Sequence, residues 1–508
     1  MSRIITCVFV LSCLLIPIVL SGNALAASSE QIETILQRLD ALEQENTFLK
    51  QRVRDLGSQL QQDQGKPNGL VTPAPVAATK SPQDALDAAI VNLPEAETKE
   101  ESRDLAGIDL GKSARLRLID VSLDVLTTVG ASSERDESLE TLQGGGHDPK
   151  RRGFTLQQAE LSLIGAVDPY FQAEAHILAS EDTVELEEAF VQSTALPWGL
   201  ELEAGYFLTE FGRINPSHPH AWVWLDQPIV NTRLFGGEGM RGAGVRMSKL
   251  LPVPWYSVFH VGAQNADGEF MTSFLGGESS HDHGNEEPAG DGHAHELGIG
   301  GRPLVDLDVR NLGDLVYLAR WENAIPLSST WTSKFGLSGL YGPNFTGTDG
   351  ETWIYGADAL FKWVPEKNER GRPFLRIEGE ISKRDLDADA FFDEDEGELI
   401  PSDTLEDWGA YVQALYGFPG RWATGLRYEY ASGSGNNLTH EGEYPARDDD
   451  PFRNDRTRIS PLVIFSPSEF TRIRLQYNYD EADHLDDPAH SVWLGLEVLI
   501  GAHPAHTY

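Results

Sequence analysis

The sequence predicts an all-β fold: a transmembrane antiparallel β-barrel of about sixteen strands, preceded by an N-terminal coiled-coil helix. Three observations predict it. From about Leu116 onward, short runs with period-2 polarity follow one another to the C-terminus. Short turns and long polar loops alternate between those runs. Ahead of them lies one heptad-patterned segment. The run Thr471-Arg472-Ile473-Arg474-Leu475-Gln476-Tyr477-Asn478-Tyr479 shows the strand pattern. Successive strand side chains point to opposite faces, so Ile473, Leu475, Tyr477 and Tyr479 share one face and Arg472, Arg474, Gln476 and Asn478 the other. A transmembrane barrel turns the apolar face to lipid and keeps the charged face in a wet lumen.

Residues 1–26 read as a secretory signal: Arg3 is basic, Ile4 to Leu20 apolar, and Ala24-Leu25-Ala26 a small-residue cleavage motif. Both cysteines, Cys7 and Cys13, fall inside it, so the processed chain is expected to have no disulfide. Residues 27–61 read as a periplasmic coiled coil. Ile32, Leu39, Asn46, Val53 and Leu60 repeat at one seam position, and Ile35, Leu42, Leu49 and Leu56 at the other. Asn46 costs stability in such a seam but fixes register. Residues 62–110, with Pro67, Pro73, Pro75, Pro82 and Pro94, read as a disordered linker.

Residues 111–508 read as the barrel. Candidate strands lie near 114–128, 154–168, 170–180, 184–195, 200–207, 239–248, 256–264 and 314–325. The second half of the set lies near 331–340, 353–364, 372–384, 408–416, 422–430, 458–465, 471–479 and 491–501. Asp168-Pro169, Leu196 to Gly199, Leu251 to Pro254, Pro326 to Ser329, Pro365 to Gly371, Gly417 to Gly420 and Ser466 to Ser468 are short joints. The intervening joints are mostly long, as on the outer rim of bacterial outer-membrane barrels. An even strand count leaves both ends of the barrel on the short-turn, periplasmic side. After the signal no run of about 18 apolar residues occurs, so a membrane crossing is expected through strands and not through a helix. At the start, Arg115, Arg117, Ile119, Val121 and Leu123 share one parity, which points to a bulge or a different beginning.

The net charge is −39. Nucleic acid needs clustered Lys and Arg, so it is excluded as a partner. The polar parity places Arg320, Arg376, Arg427, Arg472 and Arg474 inward, with Glu160, Glu174, Glu201, Glu203, Glu322, Glu378, Glu380, Glu429 and Glu497. Acids outnumber bases, which suits a lumen that attracts cations. Of these, Arg320, Glu322, Arg376, Glu378, Glu380, Arg427, Glu429, Arg472, Arg474 and Glu497 are the predicted pore-lining residues.

Val184-Glu185-Leu186-Glu187-Glu188-Ala189-Phe190, Leu196-Pro197-Trp198-Gly199-Leu200, Ala204-Gly205-Tyr206-Phe207 and Asn215-Pro216-Ser217-His218-Pro219-His220-Ala221-Trp222 carry a resemblance. Together they look like the zinc-regulated outer-membrane proteins, often labelled TonB-dependent receptors and related to the phosphate-selective porins O and P. The resemblance implies a porin-like barrel, trimeric, in the bacterial outer membrane.

Histidines are the candidate metal ligands. His281, His283, His293 and His295 sit in the 265–313 loop among acids, with no Lys or Arg between 278 and 296. Neutral imidazole with carboxylates suits zinc or another divalent cation. His218 and His220, beside Trp222 and Trp224, fall in a loop of the size that folds into porin lumens. They are either ligands or part of an aromatic constriction. Asp385, Asp387, Asp389, Asp393 and Glu396 fall at EF-hand ligand spacings, although Ala390 stands where that loop needs glycine. No catalytic constellation is visible, so no enzyme is expected and no cofactor is required. The expected function is a porin-like channel for small solutes, linked to zinc or other divalent metal uptake. The alternative is a structural anchor that reaches peptidoglycan or a periplasmic partner through its coiled coil. Outer-membrane lipid and further copies of the chain are the other expected partners.

Overall fold

The computed structural model describes residues 107–109, 115–117, 119–181, 183–276, 297–369, 371–393, 397–439 and 444–501. The predicted signal and coiled coil lie outside the described residues, as do His281, His283, His293 and His295. The end of the predicted linker is described: Gly107–Asp109 pairs antiparallel with Arg115–Arg117.

The barrel strands are β1 (Ile119–Ser132), β2 (Gly153–Ala166), β3 (Phe171–Ala179), β4 (Val184–Ser193), β5 (Leu200–Leu208) and β6 (Arg241–Leu250). Then come β7 (Tyr256–Asn265), β8 (Leu315–Pro326), β9 (Trp331–Pro343), β10 (Glu351–Trp363) and β11 (Phe374–Ala388). The last are β12 (Asp403–Gly417), β13 (Trp422–Ser434), β14 (Arg456–Ser468), β15 (Thr471–Ala482) and β16 (Ala489–Gly501). Each pairs with its chain neighbours, and β16 closes on β1 from Ser491↔Ser132 to Gly501↔Ser122. The result is a closed antiparallel barrel of sixteen strands.

Alternation sorts the faces. On β15, Arg472, Arg474, Gln476, Asn478 and Asp480 are buried inside, while Leu475 and Tyr477 face out. On β16, Trp493 and Glu497 are buried, and Val492, Leu494 and Leu496 face out. Closure pairs every strand edge, and an apolar belt covers the outside. That combination is stable in a bilayer and not in water, so the barrel belongs in the bacterial outer membrane. Among the described residues, no helix is long and apolar enough to cross a membrane.

Two expectations need correction. The first barrel strand starts at Ile119, after the separate Arg115–Arg117 ladder. The EF-hand spacing fails because Asp385 and Asp387 belong to β11. Asp385 instead takes the Tyr355 hydroxyl at 2.9 Å, and Asp387 takes Thr404 Oγ1 at 2.8 Å.

The interior is also less uniformly polar than period-2 reading implies. Three segments from the long-loop side fold inward: 133–152 with helix α1 (Asp136–Leu142), 209–240 with helix α2 (Ile229–Phe235), and 266–276. Trp224 packs inside against Phe374, Leu415, Leu462 and Ile464, and Leu225 against Leu126, Leu139 and Trp493. Phe211, Leu234, Phe235, Met271 and Phe274 pack on Val316, Leu318, Leu340 and Ile354 of the wall.

Candidate metal centre

The centre is built by β2, β3, β4 and the 209–240 segment. On β4 the register slips: His176 faces Glu188 and Ile177 faces Leu186, which leaves Glu187 as an extra residue. Such a bulge redirects side chains. Consequently Glu187 and Glu188, adjacent in sequence, are both buried inside the barrel. Asn215 closes the base of the loop. Its Nδ2 donates to the carbonyls of Thr209 (2.7 Å) and Met240 (3.1 Å), and its Oδ1 accepts the Met240 N–H at 2.8 Å. Pro219 opens a single 3-10 turn, Pro219–Ala221, and the His218 and His220 rings lie nearly parallel, 5.5 Å apart.

Glu160 of β2 is the hub. Its Oε1 lies 3.2 Å from His176 Nδ1 and 3.6 Å from His218 Nδ1, and its Oε2 lies 2.8 Å from His220 Nδ1. His218 Nδ1 also meets Glu187 Oε2 at 2.9 Å, and its Nε2 meets Glu188 Oε2 at 2.7 Å. Burial disfavours a charged His218 ring, but Glu187 and Glu160 outweigh it and hold its pKa well above the usual imidazole value.

These residues fit a zinc-class ion. Zinc–nitrogen bonds of about 2.0–2.1 Å in a tetrahedron place ligand atoms ~3.3 Å apart. His176 Nδ1 and His218 Nδ1 stand 3.2 and 3.6 Å from Glu160 Oε1. Glu160, His176 and His218 are the three residues whose ligand atoms converge, and Glu187 stands beside His218 Nδ1 at 2.9 Å. Glu188, on the far nitrogen of His218, would orient that ring, as carboxylates commonly do behind zinc-bound histidines.

A second group lies nearby on inward loops. His147 Nε2 is 2.8 Å from Glu238 Oε2, and Glu185 of β4 completes the set. Burial opposes a charged His147, yet Glu238 raises its pKa to about 9. Burial likewise opposes the Glu238 carboxylate, and His147 lowers its pKa to about 2.

All ten predicted pore-lining residues lie on the inner face, and most are engaged in ion pairs. Arg320 binds Asp358 at 2.7 Å and lies 3.6 Å from Glu322. Arg376 binds Glu378 at 2.7 Å. Glu380 accepts the N–H of Arg213 (2.9 Å) and Ile214 (3.0 Å) and the Tyr411 hydroxyl at 2.7 Å. Arg427 pairs with Glu429 and Asp226, and Glu429 accepts the Ile229 N–H at 2.8 Å. Arg472 and Arg474 share Glu497 and donate to the carbonyls of His220 (2.8 Å), Trp222 (3.2 Å) and Trp224 (3.1 Å). These charges tie the inward segment to the wall as well as lining the interior.

Of the six predicted metal residues, His218 and His220 come together; the other four lie outside the described residues. Sequence reading did not assign Glu160, His176, Glu187 and Glu188 to the same site. The available signal was the Glu187-Glu188 doublet, which breaks the alternation of β4.

No family model matches the chain. Among solved structures, the outer membrane channel DcaP of Acinetobacter baumannii is 11% identical, with 75% of this chain and 97% of that chain covered and a TM-score of 0.46. An anion-selective porin from Comamonas acidovorans is 9% identical, with 75% and 99% covered and a TM-score of 0.43. The trimer form of OmpT, an outer membrane protein of Vibrio cholerae, is 8% identical, with 75% and 99% covered and a TM-score of 0.42. In sequence, a protein of Aquifex aeolicus strain VF5, described as an uncharacterized protein, is 30% identical over 413 residues, 78% of this chain and 81% of its own length. The chain belongs to the same family as this Aquifex aeolicus protein.

Proposed function

We propose that the protein is an outer-membrane channel that binds and passes zinc-class divalent cations through its interior. The single observation that carries this reading is the convergence of His176 and His218 on Glu160 Oε1, at 3.2 and 3.6 Å, inside a membrane barrel. Imidazole nitrogen with carboxylate oxygen favours zinc over magnesium or calcium, which take all-oxygen shells. Four carboxylates around the site, Glu160, Glu174, Glu187 and Glu188, attract cations. The His281–His295 stretch of the long-loop side would collect ions ahead of it. The working assembly is a homotrimer, as the resemblance implies.

A second reading, a barrel serving as an anchor, draws support from the apolar clusters that fill much of the interior. Planar-bilayer conductance of the purified protein separates the two, because an anchor carries no current. Isothermal titration with zinc chloride tests the metal reading. The protein with His281, His283, His293 and His295 replaced by alanine should still bind zinc. His176→Ala with His218→Ala added should abolish the tightest phase. Unchanged binding after that pair removes the Glu160 centre from the mechanism.

A further inference from the structure

We propose that His147, Glu185 and Glu238 form a second metal-binding site inside the barrel, one step along the interior from the Glu160 centre. Its place on a conduction path rests on the channel reading above; the site itself does not.

Three ligand-type side chains converge here. One ligand atom from each of the three residues lies within 4.8 Å of the others. His147 is 4% exposed. Its Nε2 pairs with Glu238 Oε2 at 2.8 Å, while its Nδ1 has no hydrogen-bond partner. Buried polar atoms in native proteins are almost always satisfied, so the unpartnered Nδ1 of His147 calls for a further occupant. One imidazole with two carboxylates suits a zinc-class ion.

The site is held by backbone and not by the contact between its ligands. The Gly146 N–H donates to the Gly237 carbonyl at 2.8 Å. A Cβ on Gly146 would fall 1.4 Å from Glu238 Oε1, so a side chain there would push the Glu238 carboxylate out of its place. Asp148 braces the other side, with its carboxylate taking the N–H groups of Gly145 and Gln227, both at 2.9 Å. Arg241 grips Glu185 at 2.8 Å and offsets one of the two negative charges.

Glu187 links the two sites. It contacts His218 at 2.9 Å, and with His147 and Glu238 it lines a cavity of about 10 Å³. That is about the space of one water. An ion leaving Glu160 and His218 would meet Glu187 and then His147.

The test uses the full chain with His281, His283, His293 and His295 replaced by alanine. Crystals are soaked in zinc chloride and anomalous difference maps recorded at the zinc edge. Zinc bound in solution is counted after gel filtration. The expected result is a peak among His147, Glu185 and Glu238, and the loss of one zinc equivalent in both His147→Gln and Glu238→Gln. The two variants guard against misfolding in either one. A peak only at Glu160, with an unchanged count in both variants, overturns the second site and leaves the channel reading intact. A peak only at His147 supports the second site and overturns the Glu160 centre. No peak at either overturns both.

Discussion

Glu187 and Glu188, neighbours in the chain, both point into the barrel and take opposite nitrogens of His218, at 2.9 and 2.7 Å. A regular strand would have sent one of them to lipid. The bulge opposite His176 and Ile177 supplies the extra residue that turns both inward. A lipid-facing carboxylate is thereby avoided, and one histidine gains a carboxylate on each nitrogen, Glu187 on the Glu160 side and Glu188 on the far side as an orienting partner.

That division of roles predicts the effect of Glu188→Gln. The amide keeps the shape but holds the ring less firmly and lowers its basicity. Zinc affinity should fall by about 10–100-fold, the usual range for an orienting partner, while the barrel stays folded. Titration calorimetry beside heat-modifiable gel mobility would show this. An affinity within error of the parent would mean that Glu188 is a bystander.

Asp226 should be the main tether of the 209–240 segment. It is buried, pairs with Arg427, and accepts from Arg458 Nη1 at 3.1 Å and Asn478 Nδ2 at 2.7 Å. Asp226→Ala takes one carboxylate from each of two buried guanidinium groups, while Arg427 keeps Glu429 and Arg458 keeps Asp480 at 2.9 Å. The cost should therefore stay below the about 3–5 kcal/mol of a fully stranded buried charge. The barrel closes through its strand ladders, so the loss should appear as a loosened segment with larger and noisier single-channel conductance. Conductance traces identical to the parent would show that the tether does not limit the path.

Acid should loosen the loop after β15. His484 is partly buried beside Asn454, and burial first, then Arg456 and Arg233, lowers its pKa to about 4. The unfolded ring takes up its proton near pH ~6.5. Above that pH both states are neutral and the contact is intact. As pH falls from there toward about 4, the released ring gains a proton that the docked ring refuses, so docking weakens. Amide exchange at 483–486, corrected for intrinsic rates, should quicken over that window in the parent and show no such step in His484→Gln.

The barrel was legible because its signal is repeated. Every strand but the first falls near its expected place, and the alternation of short and long joints matches the closed antiparallel order. The departures share a cause. Period-2 reading assumes no bulges, yet β2 and β4 each carry one, so Gln157 with Gln158 and Glu187 with Glu188 turn inward as pairs. The loops were harder, because a loop's partners are set by tertiary contact. Nothing local says that Leu225 packs on Trp493 or that His147 reaches Glu238. His218 and His220 were visible as candidates, but Glu160 and His176 lie 58 and 42 residues before His218 and meet it only through the folded-in segment.

Zinc flux measures the central claim most directly. Proteoliposomes holding the full chain and an internal zinc-sensitive dye receive external zinc, with potassium flux recorded in parallel. The parent should admit zinc, and the His176→Ala/His218→Ala variant should lose zinc entry while retaining potassium entry. Equal zinc entry in parent and variant, or none in the parent, would contradict the account.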